Sequence, residues 1–317
     1  SMKMTVSWTK RIRTIDSSLV TLILLFLIFV FSSVVSPCFL TKQNILDTII
    51  TNVPIAFLAI GMFFPVVTGG IDLSVGSAAA LSGCILAGIL EIGSTWYVAI
   101  ILSVLLVTAF GTISGILVGY GKVPAFIVTL GMMSILRGFA YIYQVGSPKP
   151  IYDDTVISIG EKSFFGGYLS LAVIVLLVCL GGCWILLNWS SFGRRLYAIG
   201  DNIESARLCG INIPYHIVIA YALSSVFASL GGIVLSSRMM LGSALVGSGY
   251  ELDAIAAVIL GGASLNGGRG NIIGTVIGAY VFGFISNILN LIGIGGYPQM
   301  IIKGLVIVAA LLFTQER

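Results

Sequence analysis

The sequence predicts an all-α, polytopic integral membrane protein with about ten transmembrane helices. Of its 317 residues, 58% are hydrophobic and only 9% are charged, and the mean hydropathy is +1.10. Apolar runs of membrane-spanning length recur along nearly the whole chain, which leaves no room for a soluble domain. We therefore expect residues 1–317 to form a single transmembrane domain.

The apolar runs define the predicted spans in order. Lys3, Lys10, Arg11 and Arg13 precede the first run, so we expect a retained helix with its basic end in the cytoplasm. Residues 1–16 would be a cytoplasmic segment that starts with an expression scar, since Ser1 stands before Met2. The predicted spans are 19–35, 53–71, 75–90, 96–120, 123–145, 168–189, 214–235, 241–265, 272–294 and 297–313.

The basic residues give an independent test of this topology. Ten spans place both termini in the cytoplasm, and cytoplasmic loops of membrane proteins carry an excess of lysine and arginine. On this assignment ten basic residues lie inside and four outside. The inside residues are Lys3, Lys10, Arg11, Arg13, Lys122, Arg194, Arg195, Arg207, Arg269 and Arg317; the outside ones are Lys42, Lys149, Lys162 and Arg238.

Several function classes are excluded by what the sequence lacks. There is one histidine, and the chain has no glycine-rich phosphate loop that ends in lysine, so neither a catalytic triad nor nucleotide hydrolysis by that route is expected. We expect no enzyme activity, metal or cofactor. The net charge of +4 follows from topology and does not indicate a nucleic-acid binder. Five mostly intramembrane cysteines argue against disulfides: Cys38, Cys84, Cys179, Cys183 and Cys209.

One hydrophilic segment, residues 190–213, interrupts the apolar pattern near the middle of the chain. Asp201 and Glu204 have the spacing of a capping box, and Gly210 follows as a stop signal, which predicts a short helix outside the lipid. Glu204 and Arg207 would share one helix face. The segment is either a solvated linker or a docking helix for a soluble cytoplasmic partner.

Glycines at four-residue spacing predict close contacts between helices. Gly111, Gly115 and Gly119 lie along one predicted helix face, and Gly274 with Gly278 repeats the spacing. Small residues at this spacing let neighbouring backbones approach. Structural packing is the interpretation we prefer to a role in lining a pathway.

Two acidic stretches interrupt the pattern of ordinary spans in the two halves of the chain. The first runs from Gly69 to Gly76 around Asp72, and the second contains Gly249, Glu251 and Asp253. Short, glycine-interrupted segments in corresponding halves are typical of transporters built from repeats. Chance similarity between two stretches rich in small residues is the alternative.

Ionisable groups inside predicted spans are costly and therefore informative. Arg137 lies within its span with Tyr141 one turn later, and Lys303 lies near Gln299 in the last span. Each basic group either faces a water-filled path or pairs with a carboxylate of the acidic stretches. His216 stands close to the cytoplasmic boundary, where we expect an interfacial position.

Four motifs together resemble one family. They are GGIDLSVGS at 69–77, PAFIVTLGMMSILRG at 124–138, RRLYAIGDNIESARLCGI at 194–211 and GYELDAIAAVILGGASLNGGRG at 249–270. In this order they resemble the ribose-type sugar permeases of bacterial ATP-binding-cassette (ABC) importers, which implies a type II importer permease fold. The same motifs occur in permeases for other monosaccharides and for the furanosyl signal autoinducer-2, so the sugar stays open.

The resemblance also implies a location, partners and site residues. It implies a multi-pass protein of the bacterial inner membrane, with two cytoplasmic ATPase subunits, a second permease copy or a related permease, surrounding lipid, and a periplasmic or lipid-anchored sugar-binding protein. ATPase contact is expected at Gly193, Arg194, Arg195, Asp201, Glu204, Ala206, Arg207 and Gly210. The family signature is Gly69, Gly70, Asp72, Leu73, Ser74, Glu251 and Asp253, and the pathway candidates are Arg137 and Tyr141.

Two rival functions belong to other classes. An ion-coupled secondary sugar carrier would work without an ATPase, although such carriers usually place several acids or histidines in mid-span. A membrane scaffold without a transport role would tolerate loss of Arg137 and of the hydrophilic segment.

Overall fold

The computed structural model describes residues 17–161, 163, 164 and 169–315, and within these residues the fold is almost entirely helical. The basic N-terminal segment, Lys162 and Arg317 lie outside them. The helices are α1 Ser17–Val35, α2 Lys42–Val67, α3 Val75–Glu91, α4 Trp96–Gly119, α5 Ala125–Gln144, α6 Asp154–Glu161, α7 Leu171–Trp189, α8 Ser191–Asp201, α9 Ile203–Leu208, α10 Ile213–Met239, α11 Tyr250–Leu260, α12 Ile272–Leu291 and α13 Gly296–Gln315.

Four two-residue strands form two small antiparallel pairs. Strand β1, Lys149–Pro150, pairs with β4, Leu241–Gly242, and so joins the segment after α5 to the segment after α10. Strand β2, Ser163–Phe164, pairs with β3, Leu169–Ser170, just before α7.

The helices confirm an all-α membrane fold. Six described helices are long and apolar enough to cross a membrane, namely α2, α4, α5, α7, α10 and α12, while α3 and the apolar part of α1 are shorter. The count of about ten spans and the position of the termini stay predictions. The predicted glycine-interrupted span 241–265 is helical only over Tyr250–Leu260, and between β4 and this helix the chain forms turns.

The centre of the bundle consists of α2 and α10. Apart from Ile55, every residue of α2 from Val53 to Val67 is buried, and α10 packs against α2, α3 and α4. The outward faces of α4, α5 and α7 expose large apolar side chains such as Leu105 and Val178. In a membrane protein these faces meet lipid, so the most polar contacts lie on the inner helices.

The predicted glycine faces are confirmed as helix contacts. Gly111, Gly115 and Gly119 of α4 lie against α10, and a methyl group at Gly115 would lie 2.6 Å from the Cα atom of Val218. Gly274 and Gly278 of α12 lie in the same way against the backbone of α11. Backbone-to-backbone packing of this kind brings these helices close together inside the bundle.

The contacts define two ends of the bundle. At one end, which we call the α8 end, Gly119 meets Pro214, and the hydroxyl of Thr21 donates to the carbonyl of Leu260. At the opposite end, Lys149 forms an ion pair with Glu91 and β1 pairs with β4. Three basic residues that were predicted to share one side, Arg194, Arg195 and Arg207, all lie at the α8 end.

Helices α3 and α11 begin inside the bundle and not at its ends. Asp72, just before α3, bonds to Ser224, which lies eleven residues into α10 and therefore roughly 16 Å from its start. Gly76 of α3 meets the segment before α11, since a methyl group there would lie 2.5 Å from the carbonyl oxygen of Gly247. The two helix starts thus face each other in the interior.

Gly115→Leu tests the packing of α4 on α10. The larger side chain would force the two backbones apart, and overpacking of this kind destabilises by about 1–3 kcal/mol or more. We expect a lower thermal midpoint of the purified protein in detergent. The matched control is Gly131→Leu on α5, where an added methyl group meets nothing within 4 Å. Equal midpoints for the two variants would contradict the packing described here.

Candidate functional site

The hydrophilic segment folds into two short helices, α8 and α9, at the surface. The side chain of Ser190 caps α8 by accepting from the N–H of Gly193, and Asn202 caps α9 by accepting from the N–H of Ser205. The predicted capping box from Asp201 is wrong by one residue, because Asp201 still belongs to α8 while Asn202 has the extended backbone of an N-cap.

The end of α9 agrees with the sequence. Gly210 has φ of +75°, and the N–H of Ile211 donates to the carbonyl of Ala206, which closes the helix as predicted. Glu204 and Arg207 share one helix face, as predicted, and form an ion pair at 3.1 Å in which both side chains are exposed. Such a pair contributes little to stability, so both charges are available to another surface.

The predicted contact residues divide into an outer and an inner set. The outer set faces solvent: Arg194, Arg195, Asp201, Glu204, Arg207 and Gly210. Leu208, which no sequence pattern marked, is 88% exposed beside them. Gly193 and Ala206 are buried, with Gly193 pressed against the backbone of Leu187, so these two position the helices and do not reach a partner.

The inner side of α8 rests directly on two backbone segments. Gly200 lies so close to the carbonyl of Val67 and the N–H of Gly268 that an added methyl group would overlap both. The N–H of Gly268 donates to the carbonyl of Val67 at 2.9 Å. The hydroxyl of Tyr197 donates to the carbonyl of Gly270 at 3.1 Å, and burial raises its pKa, so it stays a donor at neutral pH. Helix α8 therefore touches both the end of α2 and the loop from α11 to α12.

Asp72 accepts hydrogen bonds at the first helix break, which is the turn between α2 and α3. Its carboxylate is almost completely buried and accepts from the N–H and hydroxyl of Ser74 and, at 2.7 Å, from the hydroxyl of Ser224 on α10. The carbonyl of Ile71 accepts from the hydroxyls of Thr129 and Tyr221. These side chains supply the bonds that the interrupted helix cannot make itself.

Arg137 donates hydrogen bonds at the second helix break, which is the non-helical segment before α11. Its guanidinium donates to the carbonyl of Ala244 and, at 2.8 Å, to that of Val246, both in the segment before α11. Gln144, two turns further along α5, accepts from the N–H of Ala244 at 2.8 Å. From the sequence we expected Arg137 to face a path or a carboxylate, and in the structure its hydrogen bonds go to backbone carbonyls.

The two acidic residues of α11 have different surroundings. Asp253 is buried and forms an ion pair with Lys303 of α13 at 3.0 Å, which confirms the pairing alternative for Lys303. Glu251 accepts from the N–H of Gly249 with one oxygen, while its other oxygen, Oε2, is buried without a hydrogen-bond partner among the described residues. Tyr141, the second pathway candidate, is about half exposed on α5.

His216 lies in the first turn of α10, beside the surface helix α8. The ring is buried, its Nδ1 bonds to the carbonyl of Asn212 at 2.7 Å, and it stacks on Phe192 of α8. The expected position close to the boundary stays a prediction, and the structure adds that α8 covers the ring. No sequence signal marked Ser224, Gln144 or Phe192, since each contact joins residues distant in the chain.

Two interior helix breaks are connected through backbone contacts to one hydrophilic surface element. A family model described as "branched-chain amino acid transport system / permease component" matches residues 44–311, and the chain belongs to this family. It is thus a transport permease, a non-enzymatic, multi-pass membrane component.

The relatives narrow the class within the family. The chain is 40% identical over 300 residues to the ribose import permease protein RbsC of Escherichia coli K12, covering 93% of each chain. It is 38% identical over 296 residues to RbsC of Bacillus subtilis 168, covering 92% of this chain and 91% of the relative. The L-arabinose transport system permease protein AraH of E. coli K12 is 33% identical over 296 residues, with 93% and 90% covered. No solved structure gives a match. The resemblance to ribose-type permeases is confirmed.

Lys303→Met tests the interior ion pair. Breaking a buried pair from one side leaves an uncompensated charge and costs about 3–5 kcal/mol. We expect a clearly lower thermal midpoint for Lys303→Met, and substantial recovery in the double variant Lys303→Met with Asp253→Leu. Lys149→Met serves as the control, because its partner Glu91 is 55% exposed and the loss should be about 1 kcal/mol or less. A double variant less stable than the single one would refute the pairing.

Proposed function

We propose that this chain is the permease subunit of an ATP-driven importer that carries ribose or a related monosaccharide across a bacterial inner membrane. The observation that carries the proposal is the similarity to ribose import permeases over nine-tenths of the chain. Ten spans with both termini in the cytoplasm fit the charge distribution, in which the α8 end is the basic one. ATP hydrolysis then belongs to a separate subunit.

The outer face of α8 and α9 is the proposed ATPase contact. It combines exposed charges of both signs with the exposed side chain of Leu208, and its ion pair is too weakly held to serve stability alone. A charged rim around an apolar side chain is typical of a protein contact that forms and changes during a cycle. Two such ATPases would act on two permease copies, or on this chain and a related permease.

A movement of α8 would reach both helix breaks through direct backbone contacts. Through Gly200 the helix rests on the end of α2, which leads to Asp72 and α3, and on Gly268, whose loop leads back to α11. Contacts between backbones transmit a displacement with little loss, since no flexible side chain lies between them. ATP-driven movement of α8 would therefore shift both interior helix starts together.

The sugar path would run beside these helix starts. Arg137 and Tyr141 on α5 are the candidates for lining it, with backbone carbonyls and hydroxyls supplying the remaining polarity. Specificity would come mainly from the binding protein, whose acidic groups would meet the basic residues predicted to lie outside, namely Lys42, Lys149, Lys162 and Arg238. Of these, Lys149 would have to exchange its partner Glu91. Autoinducer-2 or another furanoside or hexose is the alternative substrate, and none of the relatives favours an ion-coupled carrier.

Reconstitution tests the proposal directly. Proteoliposomes containing this permease, the ATPase and the sugar-binding protein from the same source should take up radiolabelled ribose only when ATP and all three components are present. A panel of arabinose, allose and autoinducer-2 in the same assay ranks the alternatives. Uptake by the permease alone, driven by a proton or sodium gradient, would refute the proposal in favour of a secondary carrier.

Glu204→Arg and Arg207→Glu test the contact face. Each substitution places like charges at i, i+3, which costs only a few tenths of a kcal/mol in stability, yet it inverts the charge offered to the ATPase. We expect at least a tenfold loss, to order of magnitude, of sugar-stimulated ATP hydrolysis with unchanged membrane insertion. Lys122→Glu is the control, because it reverses an exposed charge at the α8 end outside α8 and α9. Normal coupling in both variants would show that this face is not the contact.

Gly200→Val tests the route from α8 to the helix breaks. The added side chain pushes α8 away from Val67 and Gly268 while the outer face keeps its charges. We expect the ATPase still to bind, and uptake per ATP hydrolysed to fall about tenfold or more, the size of effect expected from a small misplacement. Gly210→Ala, at a position with open space around it, should affect the helix end and not this route. Full transport efficiency in Gly200→Val would contradict the route.

A further inference from the structure

Two groups of opposite charge near the start of α11 lack an ion-pair partner in the described part of the chain, and the transport proposal does not explain them. Glu251 Oε2 is buried without a hydrogen-bond partner, and among the described residues Arg137 has no carboxylate within ion-pair distance. Both groups nevertheless interact with the same short segment, 244–249. Buried charges are normally paired, because an unpaired one costs several kcal/mol.

The hydrogen bonds of Arg137 leave capacity for a second partner. A guanidinium has five N–H donors, and here one nitrogen, Nη1, serves the carbonyls of Ala244 and Val246. Glu251 contacts the same segment, because it accepts from the N–H of Gly249, five residues or fewer from both held carbonyls. The exchange requires segment 244–249 to move so that the carboxylate reaches the guanidinium.

Glu251 is weakly held, and the segment before it turns at two glycines. One oxygen holds the N–H of Gly249 at 3.3 Å, a long bond that is readily exchanged. Gly247 and Gly249 have φ of +71° and +84°, so the segment turns sharply at two glycines. Gly76 of α3 lies against both Oε2 of Glu251 and the carbonyl of Gly247, which links the carboxylate and the segment to the other interior helix start.

We propose that Arg137 is a positioning residue that exchanges partners during transport. In the state described here it holds the carbonyls of Ala244 and Val246, and in the alternate state it releases them and pairs with the carboxylate of Glu251. The segment 244–249 is thereby held in one of two positions, and not in a continuum between them. This inference rests on the proposed transport function.

The two residues have opposite effects on such an exchange. Glu251→Gln removes the charge that attracts the guanidinium and favours the described state. Arg137→Lys loses the planar fork that holds two carbonyls, but keeps a positive charge for Glu251, and so favours the alternate state. A purely structural role for either residue would not produce shifts in opposite directions.

The experiment follows a thiol placed in the moving segment. Leu245, 67% exposed between the two held carbonyls, is replaced by cysteine in a protein whose exposed Cys38 and Cys209 are changed to serine. The labelling rate with a small maleimide is measured in the resting complex with ATPase and binding protein, and again after trapping with ATP and vanadate. With native Arg137 and Glu251, we expect the two rates to differ.

The same labelling rates in two variants test the exchange of partners. Glu251→Gln should show the resting rate in both conditions, and Arg137→Lys should move the resting rate toward the trapped one. Rates that shift in the same direction in both variants, or that match the parent protein, would overturn the exchange. If the parent complex itself fails to hydrolyse ATP or to import sugar, the transport proposal fails instead, and the two failures are thus distinguishable.

A double-substitution cycle gives an independent measurement. Arg137→Gln and Glu251→Gln should each lower the import rate about tenfold or more, and the double variant should be no worse than the singles, because they remove one shared interaction. Arg137→Gln combined with Asp253→Asn is the control, since Asp253 pairs with Lys303, and there the two losses should multiply. Multiplying losses in the Arg137 and Glu251 pair would refute the exchange.

Discussion

The structure depends on one constraint, which is that polar backbone groups inside a membrane bundle need partners from the protein itself. Two helices begin in the interior, at Val75 and Tyr250, and each start exposes groups that an unbroken helix would satisfy. Asp72 and Ser224 supply the bonds at the first start, and Arg137 and Gln144 supply them at the second. Ionisable residues in the interior are therefore the direct consequence of breaking helices there.

The same constraint explains why the bundle is rich in glycine. Segments that turn inside a bundle need space, and the close contacts of α4 with α10 and of α11 with α12 bring helices near enough to enclose them. A lipid-exposed break would cost several kcal/mol for each unpaired group. A break enclosed by protein can instead have two sets of partners, which is the property that a transporter with two states needs.

The sequence predicted those features that depend on local pattern. Apolar runs located the helices, the four-residue glycine spacing located the tight faces, and the concentration of charge at 190–213 located the surface element. Contacts between distant residues gave no signal, so the bonds from Arg137 to backbone carbonyls and the burial of His216 against Phe192 were found only in the structure. The cap at Asn202 was missed because Asp201 and Asn202 are both good caps and adjacent.

Under the proposed function, α8 and α9 would connect this interior to an ATPase outside the membrane, and the orientation and contact of these helices can be measured with native thiols. Cys209 at the end of α9 and Cys38 before α2 are both exposed and lie at opposite ends of the bundle. Labelling with a membrane-impermeant maleimide should modify Cys209 only in inside-out vesicles and Cys38 only in right-side-out vesicles, and bound ATPase should protect Cys209. Modification of Cys209 from the outside, or an unchanged rate with ATPase bound, would contradict the account.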